Sequence, residues 1–142
     1  VKPEQLEALL QYRMEQAHES LREAEILLGE SALRGTVNRA YYAMFYALLA
    51  LLATKQLGTS KHSGAISLFD REFVKAGLFP RELSRALHLA FERRQRYDYG
   101  EMVPLSEEVA EDTLVDAQTF VARIEAYLHA SGQLADAQQE GE

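Results

Sequence analysis

The residues best equipped for chemistry stand together at Arg93-Arg94-Gln95-Arg96-Tyr97-Asp98-Tyr99-Gly100. Three arginines within four residues point to different sides of a helix, so a single surface ion pair cannot employ them all. Arg94 and Asp98 are four apart and therefore neighbours on one helical face. Taken alone, such a pair is a solvated contact worth about 0.3–0.5 kcal/mol. Beside two tyrosines and a terminating glycine, in a basic part of the chain, it reads instead as a candidate anion site. A second candidate is Ser60-Lys61-His62-Ser63-Gly64, which sets Lys61 and His62 at an expected helix start. Helix N-termini favour anions, although an ordinary solvated start is the competing reading. The four histidines, His18, His62, His88 and His129, show no metal-ligand spacing, so no metal and no cofactor is expected.

These residues must be positioned by helices. From Ala40 to Ala53 there is no charge, glycine or proline, and a helix apolar on all sides must be covered on all sides. Fourteen residues span roughly 21 Å, too short for a bilayer core of about 30 Å, so a central helix of a soluble protein is expected. Tyr41, Tyr42 and Tyr46 within it each need a polar partner for the phenol hydroxyl. Around it, Leu6, Leu10, Met14, Ala17, Leu21, Ala24 and Leu28 form one stripe of a long first helix that opens at Pro3 and ends at Gly29. The central second helix begins near Arg34 to Val37 and ends at Gly58. A short third helix, capped by Thr59-Ser60, runs to Gly77. Pro80 opens a fourth, with Leu83, Leu87 and Ala90 inward, closed by Gly100. Ser106 caps a fifth with Ala110, Leu114, Ala117, Val121, Ile124 and Leu128 inward, ended by Gly132. No stretch alternates with period two, so the fold class is all-α, a helical bundle over residues 1–132. The acidic tail, residues 133–142, is expected to be frayed or disordered.

With 142 residues, 47% of them apolar and 26% charged, the chain fits one domain. It has no cysteine, which excludes disulfides and thiolate chemistry, and its first residues carry no apolar leader, so a cytoplasmic location is expected. The net charge of −7 disfavours indiscriminate nucleic-acid binding. Its distribution is uneven: residues 31–100 hold 11 basic and 5 acidic groups, net +6, between acidic ends.

Four runs carry a family resemblance: Asn38-Arg39-Ala40-Tyr41-Tyr42-Ala43, Lys61-His62-Ser63, Phe73-Val74-Lys75-Ala76-Gly77 and Arg94-Gln95-Arg96-Tyr97-Asp98-Tyr99-Gly100. Together they resemble a small prokaryotic branch of the HEPN family, the higher-eukaryote and prokaryote nucleotide-binding domain. The resemblance implies a five-helix bundle with a buried second helix, dimeric, without membrane association, and often the partner of a minimal nucleotidyltransferase in a toxin–antitoxin pair. It places the chemistry on Arg94, Asp98 and Tyr99. Nucleotide or RNA binding falls to Asn38, Arg39, Tyr42, Lys61 and His62. Tyr99 is the position where a partner would attach a nucleotidyl group. Many family members are metal-independent ribonucleases with an Arg-x4-6-His motif, in which Arg stabilises phosphate charge and His moves protons. Here the positions expected for that His hold Asp98, Tyr99, Gly100 and Glu101. A ribonuclease would need a rearranged set such as Arg94 with His62 or Tyr99. A helical scaffold without turnover is the remaining alternative.

Overall fold

The uncharged run from Ala40 to Ala53 dictates the architecture. The computed structural model describes residues 2–100 and 103–135 as five α-helices, with no strand among them. These are α1 (Pro3–Gly29), α2 (Leu33–Ala53), α3 (His62–Phe69), α4 (Arg81–Tyr99) and α5 (Glu107–Ala130), and a π-helical turn, Asp70–Val74, follows α3 directly. The α2 helix touches all four others. Ala43, Met44, Ala47, Leu48, Leu51 and Leu52 are fully buried. The predicted stripes of α1 and α5 face it through Leu10, Met14, Ala17 and Ala24, and through Ala117, Val121, Ile124 and Leu128. One chain therefore covers its own apolar helix. Among the described residues no helix is long and apolar enough to cross a membrane.

Several helix ends differ from those the sequence suggested. The α1 helix runs through Gly29, and the left-handed position falls on Ser31 (φ 57°). There the Ala32 N–H reaches the Leu27 carbonyl at 2.8 Å and the Ser31 N–H reaches Leu28 at 3.0 Å. This paired closure is the usual helix stop, here without its usual glycine. The α2 helix ends at Ala53 rather than Gly58, and Gln56 (φ 56°) closes it through Leu57 N–H to the Leu52 carbonyl at 3.0 Å. Packing sets where these helices leave the core, and residue preference yields to it. Thr59 and Ser60 do not cap α3: the helix starts later, at His62, and the Thr59 hydroxyl accepts from Lys61 N–H at 3.3 Å instead. The π-turn that then carries the chain towards Gly77 was not foreseen. Ser106 caps α5 as expected, accepting from Val109 N–H at 3.1 Å. Of the tail expected to fray, the described part packs on α5, because Leu134 is buried and its N–H bonds to the Leu128 carbonyl. Residues 136–142 of that tail lie outside the described residues.

Candidate functional site

The late arginine run sits on the last turns of α4, and its members diverge as their spacing requires. Arg93 donates to Thr113 Oγ1 of α5 at 2.9 Å, whereas Arg94 turns towards α2. Arg94 Nε donates to Asp98 Oδ2 at 3.0 Å, and its Nη2 donates to the hydroxyls of Tyr42 at 3.0 Å and Tyr99 at 3.2 Å. The guanidinium carbon lies 5.7, 5.2 and 5.3 Å from the ring centres of Tyr41, Tyr42 and Tyr99. Only 13% of the Arg94 side chain and 22% of Asp98 remain exposed. The solvated i,i+4 contact is thus excluded: the pair belongs to a half-buried network of charge-assisted bonds and cation–π contacts.

The start of α2 completes the network. Asn38 Nδ2 donates to the same Asp98 oxygen at 2.8 Å, and Asn38 Oδ1 accepts from Arg39 Nε at 3.0 Å. Arg39 lies 4.9 Å from the Tyr42 ring centre and 3.6 Å from Glu23 Oε1. The Tyr42 ring thus touches two guanidinium groups, from Arg39 and Arg94. Asp98 orients Arg94 and offsets its charge. Tyr99 is the outermost member, 74% exposed, with its hydroxyl held at the guanidinium.

His62 reaches the network from α3. Its ring stacks on Phe45 at 4.1 Å with an interplanar angle of 7°, and Nδ1 lies 2.7 Å from the Tyr41 hydroxyl. Burial pushes the Tyr41 phenol above its ordinary pKa, and the nearby Arg94 charge opposes this only in part. A phenol kept protonated donates to Nδ1 and leaves the proton of neutral His62 on Nε2. Burial lowers the His62 pKa, and the Arg94 charge lowers it further. Lys61, one residue earlier, is exposed and its ammonium makes no hydrogen bond or ion pair with a described residue. The structure therefore brings Arg94, Asp98, Tyr99, Asn38, Arg39, Tyr42 and His62 together and leaves Lys61 outside the cluster. Among the described residues no group of three or more His, Cys, Asp or Glu is placed to hold a metal ion.

One positioning residue was missed. Arg34 of α2 donates to the Tyr97 carbonyl and, at 3.3 Å, to the Val103 carbonyl, so it ties the end of α4 to the chain beyond it. Tyr97 is buried beside Val37 and Ala110. No motif marks Arg34; its place one residue into α2, facing the end of α4, is visible only once the helices are packed. At Gly100 a Cβ would lie 2.1 Å from the Arg96 carbonyl oxygen, so the residue that ends the site's helix must be glycine.

Comparison with known proteins bears on the fold and the family. A Thermotoga maritima UPF0332 protein is 43% identical over 84% of this chain and 90% of its own length. A Methanocaldococcus jannaschii protein named as a candidate toxin is 38% identical over 88% of this chain and 90% of its own. The crystal structure of a Thermus thermophilus protein superposes with a TM-score of 0.70, at 22% identity, over 82% of this chain and 96% of that one, a likeness of fold. The HEPN domain model matches residues 10–127, nearly the whole bundle and every residue of the cluster, and the chain belongs to the HEPN domain family.

Proposed function

We propose that the chain is a toxin-like HEPN module that binds nucleotide phosphate at the Arg94 cluster, as the dimeric partner of a minimal nucleotidyltransferase. The observation that carries the reading is Tyr99: largely exposed, yet with its hydroxyl held 3.2 Å from a guanidinium that Asp98 keeps oriented. In the transfer, the Tyr99 oxygen attacks the α-phosphorus of a nucleoside triphosphate. A new O–P bond forms, the bond to the bridging oxygen breaks, pyrophosphate leaves with the electron pair, and the phenol proton passes to a base on the partner enzyme or to water. Arg94 stabilises the phosphate charge, and Arg39 lies one aromatic ring away. The toxin name of a relative and the family's habits support the pairing and the dimer.

The test is co-expression with a minimal nucleotidyltransferase, followed by peptide mass spectrometry. A nucleotidyl group on Tyr99 that is lost in Tyr99→Phe is the expected result; an unmodified Tyr99 with an active partner would remove this role. Light scattering should give twice the chain mass.

A second reading, a metal-independent ribonuclease, is favoured by the one contact between Tyr41 and His62. It holds an imidazole beside the tyrosine ring that Arg94 approaches, and with Nδ1 occupied by the Tyr41 hydroxyl the remaining Nε2–H would make His62 the proton donor absent from α4. RNA cleavage in the presence of chelator, lost in His62→Ala, would support it over the first.

A further inference from the structure

A groove outside the Arg94 cluster lies between the π-turn and the beginning of α4. It is lined by Ser67, Asp70, Arg71, Val74, Lys75 and Arg81 and encloses about 590 Å³. Three of these residues are cationic, and the one carboxylate is already occupied. Asp70 Oδ1 accepts from Ser84 Oγ, and Oδ2 meets His88 Nε2, both at 2.6 Å. Arg71 pairs only with its neighbour Glu72 at 3.4 Å, on an open surface. Lys75 and Arg81 have no ion pair or side-chain hydrogen bond with any described residue. In a chain of net charge −7, two unpaired cations beside Arg71, itself held only by one exposed ion pair, create a local field opposite in sign to the whole.

The groove is also fixed in shape. The two Asp70 bonds fasten the π-turn to α4. From the α2 side, Lys55 Nζ donates to the Glu72 carbonyl at 2.9 Å and sits 4.6 Å from the ring centre of the buried Phe73. Gly77, at φ +83°, closes the turn. This is the Phe73-Val74-Lys75-Ala76-Gly77 run that the Arg94 cluster leaves unused. π-Helical turns are rare and occur often at functional sites.

We infer that this groove binds the phosphodiester backbone of a nucleic acid. Guanidinium forks and an ammonium match phosphate oxygens. Val74 is the only apolar residue in the lining and no aromatic ring is present. The groove thus offers neither the apolar centre of a protein interface nor a platform for stacked bases. Recognition there is of the backbone charge, and it is independent of the reading given to Arg94.

The experiment is fluorescence anisotropy with labelled oligouridylate and oligothymidylate, and with labelled polyglutamate, across a salt series. The parent is compared with Lys75→Ala/Arg81→Ala, both exposed positions, with helicity checked by circular dichroism. The double variant should bind both oligonucleotides at least about tenfold more weakly at about 50 mM salt. Its slope of log K against log salt should be shallower by about 1.4, roughly 0.7 for each lost phosphate contact to a single strand. Equal affinity for the two oligonucleotides supports backbone recognition, and tighter oligouridylate identifies RNA as the source. Unchanged affinity and slope in the variant, no oligonucleotide binding by the parent at about 100 μM, or polyglutamate binding as tightly as the oligonucleotides would each overturn the inference. Mononucleotide binding, which depends on Arg94, should be the same in parent and variant. A loss there together with unchanged oligonucleotide binding would count against the groove alone.

Discussion

Arg94→Ala distinguishes a working network from a surface ion pair through stability alone. Arg94 makes three side-chain hydrogen bonds, at 3.0, 3.0 and 3.2 Å, and its side chain is only 13% exposed. Truncation removes the charged donor from Asp98 and the Tyr42 hydroxyl, and it ends the contacts with three aromatic rings. A bond to a charged group contributes about 1.5–3 kcal/mol when shielded, and cation–π contacts add about 0.5–1 kcal/mol at accessible positions. Asn38 still holds Asp98, and water can reach part of the gap, so the net loss should be about 2 kcal/mol. An exposed pair would lose about 0.5 kcal/mol. For a chain of this size that difference lowers Tm by about 4–8 °C. Urea unfolding followed by circular dichroism measures it, and a double-mutant cycle with Asp98→Ala should give a coupling of about 1 kcal/mol or more. A loss below 0.5 kcal/mol together with zero coupling would refute the half-buried network.

Three further outcomes follow from the packing. Leu48, fully buried at the centre of α2, should lose about 2–5 kcal/mol as Leu48→Ala, and a loss within 0.5 kcal/mol would mean α2 is not central. Ser31→Gly and Gln56→Gly should each raise stability, by about 0.5–1 kcal/mol, because φ 57° and φ 56° strain a residue with a Cβ. A loss in both would show that these side chains contribute more than their backbone costs. His62 has a folded-state pKa below its ordinary 6.5, so the unfolded chain takes up the proton first on acidification. Its contribution is therefore complete above about pH 6.5 and declines below it. The unfolding free energy of the parent should fall more steeply than that of His62→Gln between about pH 7 and pH 5, and parallel curves would contradict the His62 environment.

The stripes of α1 and α5, the buried α2 and the Ser106 cap were all legible, because hydrophobic period and capping chemistry act locally. The ends of α1 and α2 were not. Gly29 and Gly58 looked like stops, but the bundle releases the chain at Ser31 and Gln56 and imposes a left-handed backbone on residues that resist it. The π-turn has no local code, since its extra residue is accommodated by Asp70 reaching Ser84 and His88 on another helix. Within the site, the need of Tyr41 and Tyr42 for polar partners could be read directly, and Arg94 with Asp98 followed from their spacing. That His62 supplies the partner of Tyr41, and that Arg34 holds the end of α4, depends on residues 21 and 63 positions apart in the chain. Only packing brings such pairs together.

The central claim, that the Arg94 cluster binds phosphate, is tested most directly by titrating a fluorescent nucleotide into the parent, Arg94→Ala and Arg94→Lys. One charge-assisted contact to phosphate contributes about 1.5–3 kcal/mol, so Arg94→Ala should bind roughly 10- to 150-fold more weakly with its helical content intact. Arg94→Lys should recover only part of the affinity, because an ammonium keeps the charge without the planar fork. Equal affinity in the parent and Arg94→Ala would contradict the claim.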